Sequence, residues 1–368
     1  MAEPINEDVA QPEEGQEETL SRRRLLQALA ASGGAVAAST LLPNEWVKPV
    51  VEVGLLPAHA QVSRAAFAYV ANRDDGTVSV IDTRTNTVVA TIAVGTDPVG
   101  VAINPAGTRV YVANQTSNNV SVIDTATNTV VATVGVGPIP TGVAVNPAGT
   151  RVYVANQAAG PPGTVSVIDT ATNTVVATVN VGNNPIGVAV NPAGTRAYVT
   201  NGGSNNVSVI DTATNTVVAT VAVGLLPIGV ADNPAGTRVY VVNLAADTVS
   251  VIDTATNAVV ATVALPVGAG SQFAAVNPAG TRVYVVNRTN NTVSIIDTAT
   301  NAVVGTVNVG NSPRAVAFTP DGTRAYVVNA NDNNVSIIDT ATNTVVGAVG
   351  VGTDPRGFGQ FIGLVPVP

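Results

Sequence analysis

From Gln61 to the end of the 368-residue chain, the ionisable side chains other than tyrosine are 15 Asp and 12 Arg. Glutamate, lysine and histidine occur only before residue 60, and cysteine is absent. This alphabet narrows the chemistry. Without His or Cys the common zinc, copper and haem ligand sets cannot be assembled. A Ser-His-Asp or Cys-His nucleophile cannot be built either. A general base would have to be Asp, Tyr or a terminus. What remains is anion recognition by arginine, and acid, turn or metal roles for aspartate. The segment has a net charge of −3 and no Lys/Arg runs, which argues against nucleic acid as a partner. No cofactor is implied, and the lack of Cys leaves the redox compartment undetermined.

The elements that must position these residues are written as a repeat. Tyr-Val-x-Asn occurs seven times, beginning at Tyr69, Tyr111, Tyr153, Tyr198, Tyr240, Tyr284 and Tyr326, in steps of 42, 42, 45, 42, 44 and 42 residues. Each is followed by Val-Ser-(Val/Ile)-Ile-Asp-Thr, with aspartates at Asp82, Asp124, Asp169, Asp211, Asp253, Asp297 and Asp339. A period in the low forties with several strand-like runs per unit is the pattern of a β-propeller blade. One unit reads as four strands, inner to outer, separated by Asn104-Pro105-Ala106-Gly107, by a variable polar loop, and by Asp124-Thr125-Ala126-Thr127-Asn128. The expectation is an all-β, seven-bladed propeller of four-stranded antiparallel blades. The seven aspartates would then be one turn used seven times, bonding its own backbone, rather than seven acid or metal sites.

The register of the two ends predicts how the ring closes. The first Tyr-Val-Ala-Asn has no inner strand before it, while Pro355–Gly363 aligns with the inner strand that starts at Pro98. One C-terminal inner strand should therefore complete the blade whose other three strands come from residues 66–94, which removes the ring's open edges.

Over about residues 64–363 the chain resembles the YVTN-family β-propellers of archaeal surface-layer-like proteins and many bacterial exported proteins. Tyr198-Val199-Thr200-Asn201 is the literal family tetrapeptide, recurring with Asn-Pro-Ala-Gly-Thr-Arg and Val-Ile-Asp-Thr in fixed order. The resemblance implies a fold and a surface-layer-like or exported setting, and leaves activity open.

Before the repeats, residues 1–20 are acidic and read as disordered. Ser21-Arg22-Arg23-Arg24-Leu25-Leu26-Gln27 resembles the twin-arginine export motif, a weakly apolar stretch runs to Leu42, and Ala58-His59-Ala60 supplies a peptidase site. Residues 1–60 would be an acidic n-region and export segment cleaved after Ala60, and residues 61–368 a single propeller domain. Arg22, Arg23, Ala58 and Ala60 carry that signal. The membrane is met only through this segment, and the mature protein would be extracellular, at the cell surface or periplasmic.

Comparing the repeats locates a candidate site. The loops between second and third strands vary, as do the connections between blades, and both sets lie on one face of a propeller. The first inner-strand position is Val99, Thr141, Ile186, Ile228, Gln272, Arg314 and Arg356 in successive blades. Arg314 and Arg356 are neighbours beside Gln272, with Phe273, Phe318 and Phe358 in the same strands and Arg73 and Arg288 in flanking loops. Arginine offers planar, paired donors for carboxylates or phosphates. An anionic glycan, an acidic peptide or a surface protein is the expected partner. In the competing arrangement Arg314 and Arg356 pair with Asp354 and Asp97, and the phenylalanines plug the channel.

Three functions are consistent with these residues. The first is an exported, non-catalytic binding or scaffold module. The second is a metal-dependent lactonase- or lyase-like propeller enzyme, for which Asp232, an inner-strand aspartate where other repeats carry Ile, Val, Phe or Gln, would be the candidate residue. The third is a structural component of a surface layer.

Overall fold

The computed structural model describes residues 63–157 and 161–367. The export residues Arg22, Arg23, Ala58 and Ala60 lie outside the described residues. Seven antiparallel sheets follow one another as blades around a central channel, and the last packs against the first. Blade 2 shows the plan, with strands Pro98–Ile103, Arg109–Asn114, Asn119–Asp124 and Thr129–Gly135 from inside to outside.

Burial follows position in the blade. The second and third strands are buried on both faces, because each face meets a neighbouring blade; this is why their Val, Tyr and Ile runs are almost continuous. The outer strands face solvent, and each exposes a pair of valines such as Val130 and Val131. The repeat tyrosines fill the space between blades. In blades 6 and 7 their hydroxyls cross to the next blade's outer turn: Tyr284 donates to Asn343 Oδ1 at 2.5 Å and Tyr326 to Asn86 Oδ1 at 2.6 Å. The asparagine of each Tyr-Val-x-Asn is fully buried and donates to the serine of the third strand, as Asn114 does to Ser121 at 2.9 Å.

Each inner strand starts one residue earlier than the sequence predicts, at Pro98 in blade 2, and glycine at its third position lets the strands crowd around the channel. A Cβ on Gly100 would stand 2.0 Å from the Thr141 carbonyl oxygen of the next blade, and one on Gly229 would stand 2.5 Å from that of Gln272. Blades 6 and 7 carry Phe273 and Ala315 at this position instead. The inner strands also enter with a register shift. In blade 7, Pro313 faces Asn329 and Ala315 faces Val328, so Arg314 is the extra residue of a bulge. Bulges re-aim side chains, and this one sits at the mouth of the channel.

The closure joins both ends of the chain, as the register predicts, with a refinement. The inner position of blade 1 is filled by two short segments, Pro355–Arg356 and Ile362–Pro366, both paired with Arg64–Asn72. The tail beyond Gly363 is thus part of the sheet. Between the segments the chain leaves blade 1 and bonds to blade 2: Phe358 N–H donates to the Val99 carbonyl (3.1 Å) and Ile103 N–H to that of Gln360 (3.1 Å). Gly359 makes this detour possible. Its φ is +140°, and a Cβ there would lie 2.5 Å from the Val101 carbonyl oxygen and 2.7 Å from that of Val143.

Candidate functional site

Most arginines of the propeller are absorbed by the repeat. Arg109 donates to Asp124 Oδ2 at 2.5 Å, while Asp124 Oδ1 accepts the N–H groups of Ala126 and Thr127, each at 3.0 Å. Arg151, Arg196, Arg238, Arg282 and Arg324 make the same pair with Asp169, Asp211, Asp253, Asp297 and Asp339. Blade 1 reaches the result differently, with Arg84 in the turn itself bonded to Asp82 at 2.7 Å. The carboxyls are held below the usual range. For Asp169 the Thr172 N–H is the largest cause; for Asp82 it is the Arg84 side chain. In blades 2 to 7 the aspartate ties the turn between third and outer strands to the arginine at the start of the second strand; in blade 1 it closes the turn alone.

Removing these seven leaves Arg64, Arg73, Arg288, Arg314 and Arg356. Four of the five gather on the face that carries the variable loops. Arg356 is 6% exposed; one of its terminal nitrogens bonds Asp354 at 2.6 Å, and the other, Nη1, is buried without a partner. Arg73 shares the same Asp354 carboxylate at 3.3 Å and lies 3.5 Å from Asp97. Arg314 donates through Nη1 to Gln272 Oε1 at 3.2 Å, and its Nε is buried and unpartnered. Arg288 reaches Ser312 Oγ at 3.4 Å. Of the ion pairs that competed with a binding role in the sequence, Arg356–Asp354 forms, Asp97 is taken by Arg73, and Arg314 pairs with neither. Desolvation, with Arg356 and Arg288 close by, pulls the Arg314 guanidinium down to about 10. Arg356 is lowered as well, by desolvation first, with Asp354 opposing. Arg288 and Arg314 thus have no ion-pair partner among the described residues, whereas Arg73 and Arg356 share Asp354.

The phenylalanines are elsewhere. Phe358 stacks on Phe273 across the channel, with centroids 4.3 Å apart and planes 8° from parallel. Phe318 is buried edge-on against Tyr284 at 4.8 Å. All three line a cavity of about 510 Å³ that opens among the Asn-Pro turns on the opposite side. Asp232 and Arg64 line it too, whereas Arg314, Arg356 and Gln272 do not. Phe318 and Phe358 thus stand apart from the arginines with which the sequence grouped them. Asp232 is part-covered in the lumen, and desolvation pushes its carboxyl up to about 7. Among the described residues, no group of three or more His, Cys, Asp or Glu could hold a metal ion.

The YNCE-like beta-propeller family profile matches residues 25–361. The chain belongs to the YNCE-like β-propeller family. No curated protein matches its sequence. Three solved structures are similar to it. Hydrazine synthase of Kuenenia stuttgartiensis matches at 26% identity with a TM-score of 0.66, covering 74% of this chain and 92% of that one. A functionally unknown protein from Desulfotomaculum acetoxidans DSM 771 matches at 17% identity and a TM-score of 0.70, covering 82% and 99%. The dihydro-heme d1 dehydrogenase NirN, in complex with DHE, matches at 16% identity and a TM-score of 0.58, covering 79% and 74%. The last two likenesses establish shared fold alone.

In this YNCE-like propeller the repeat arginines were the signal that reading the turns in isolation missed. Arg109 and Asp124 stand 15 residues apart, and the same spacing recurs for Arg196, Arg238, Arg282 and Arg324 with their aspartates. Subtracting that pattern from the propeller sequence leaves the four mouth arginines together with Arg64 and Arg84. Arg64 at the far opening carries no repeat signal, whereas the counter-ion Asp354, shared by two of the mouth arginines, stands at the connection position that Asp97 takes before blade 2.

Proposed function

We propose that this YNCE-like propeller is a rigid binding module that recognises an anionic group, a carboxylate or a phosphate, at the mouth formed by the variable loops and inter-blade connections. The observation that carries this reading is the buried, unpartnered Nη1 of Arg356 together with the equally unpartnered Nε of Arg314 in the neighbouring blade. A buried donor on a charged group costs free energy until it is bonded. A carboxylate or phosphate entering between them would satisfy both, and Gln272 adds a neutral polar group to orient the ligand. Arg73 and Arg288 flank the entrance and add long-range attraction. The variable loops around it suit the end of an acidic glycan or peptide. The twin-arginine-like segment ahead of the propeller supports an extracellular, cell-surface or periplasmic setting for it.

A structural role in a surface layer is the second reading. The paired outer-strand valines, each 36–56% exposed, form an apolar rim suited to lateral contacts. Sedimentation across a concentration series separates the two, since the rim predicts self-association that grows with concentration. The binding reading is tested by titrating the purified protein with anionic and neutral glycans and acidic peptides. Specific binding of an anionic member, lost in Arg314→Ala/Arg356→Ala, supports it. Binding that ignores the double substitution contradicts it.

A further inference from the structure

The lumen on the opposite side of the ring shares no lining residue with the arginine cluster. We infer that it is a separate site for an organic cation, an ammonium group carried on a small apolar body, with Asp232 as counter-ion. The observations begin with the strand register. Asp232 ends the inner strand Pro227–Asp232, where other blades end on Ile103, Val145, Val190, Val276 and Phe318. A carboxylate thus replaces a wall residue at one point of a ring that is otherwise apolar except for Gln360. Among the described residues its side chain makes no ion pair, and its carboxylate is met only by its own backbone N–H. Arg64 lines the same cavity without coming within ion-pairing distance of it.

The cavity has the size and surface such a ligand needs. At about 510 Å³ it falls inside the roughly 300–1,000 Å³ span of small-molecule sites. Its inner end is the stacked Phe273–Phe358 pair, and aromatic rings attract ammonium groups in addition to burying apolar bodies. A metal ion is a poorer fit. A single carboxylate cannot supply the oxygen set that a hard divalent cation requires. An anion is disfavoured by Asp232 itself. An ammonium ligand would restore the partner that burial denies to this carboxylate.

The charged and titratable groups around Asp232 are few. Arg64 lines the same lumen, and the Tyr198 phenol, raised mainly by burial, also feels the Asp232 charge. A change of affinity between mildly acid and mildly alkaline pH therefore reports Asp232.

The test uses the full chain and a probe with no proton of its own. Benzyltrimethylammonium and the neutral benzyl alcohol are titrated calorimetrically against wild type, Asp232→Asn and Asp232→Val. Each protein is melted first to establish folding; Asp232→Val restores the residue type of the neighbouring repeats, so it separates loss of charge from loss of fold. The expected result is binding of the cation at about pH 8, weakened about tenfold or more at about pH 5.5 and by either substitution, with the alcohol at least about tenfold weaker than the cation. Equal binding of cation and alcohol, unchanged binding in the folded variants, or no binding of the cation at about pH 8 would each overturn the inference.

Discussion

Blades 2 to 5 and blades 6, 7 and 1 are built from nearly the same repeat, yet they treat the channel differently. In blades 2 to 5 the third inner-strand residue is Gly100, Gly142, Gly187 or Gly229, and neighbouring strands approach closely enough that no Cβ fits. Their mouth positions are Val99, Thr141, Ile186 and Ile228. In blades 6 and 7 the glycine becomes Phe273 or Ala315, the mouth positions become Gln272 and Arg314, and blade 1 adds Arg356 and a strand that leaves its own sheet. The regular sector is optimised for closure. The irregular sector departs from the repeat and carries buried polar donors that the fold leaves unbonded, which is where a function is expected to be held.

The comparison can be broken most severely at the glycines. Gly100→Val should destabilise the protein by more than about 3 kcal/mol, since the added atoms overlap the Thr141 carbonyl. Ala315→Gly, at the equivalent position of blade 7, should cost only about 1 kcal/mol. Denaturant unfolding of both variants checks the pair; comparable losses would mean that the two sectors are packed alike.

The next effect isolates the lumen carboxyl. Because Asp232 titrates near 7 in the folded protein, the fold holds a proton that the unfolded chain releases between about pH 4 and 7. Stability from this group therefore falls as pH rises through that window. Asp232→Val should raise stability by on the order of 2 kcal/mol at about pH 8, allowing for water in the lumen, and should raise it less at about pH 4. Melting temperatures at the two pH values test this, and a gain independent of pH would contradict it.

The repeat turns should behave oppositely. Their depressed carboxyls contribute stability that is complete above about pH 4 and lost as pH falls below it. Asp124→Ala removes the Arg109 pair and two backbone bonds, for an expected loss of about 1–2 kcal/mol at neutral pH. That loss should shrink in acid, which urea titrations at neutral and acid pH would show.

The smallest effect lies in the regular sector. Ile139, in the connection between blades 2 and 3, has φ of +53°, where the equivalent connections use Asp97, Asn184, Leu226, Ser312 and Asp354, none of them β-branched. A β-branched residue is strained there. Ile139→Asn should stabilise the protein by about 0.5–1 kcal/mol, measured as a shift in thermal midpoint.

The blades were legible because each depends on local signals, namely turn chemistry, strand runs and a fixed period. Closure was legible because the missing inner strand at Tyr69 and the surplus one at Pro355 are complementary. Its interruption at Gly357–Phe361 was not, since it depends on bonds to the neighbouring blade. The mouth cluster was partly legible. Arg314, Arg356 and Gln272 share a register position and therefore a place in the ring. Phe318 and Phe358 share the strands but sit further along them, and a few residues along an inner strand separate the mouth from the lumen. Which arginine takes which aspartate was settled by three-dimensional reach, so Arg73 rather than Arg314 holds Asp97.

The central claim is that the irregular sector holds an anion site. Calorimetric titration of a polyglutamate peptide into wild type and into Arg314→Ala/Arg356→Ala, with Arg109→Ala as a control from the repeat pairs, tests it most directly. The account predicts salt-sensitive binding that the double substitution abolishes and the control retains. Binding that survives the double substitution, or that falls equally with Arg109→Ala, would contradict it.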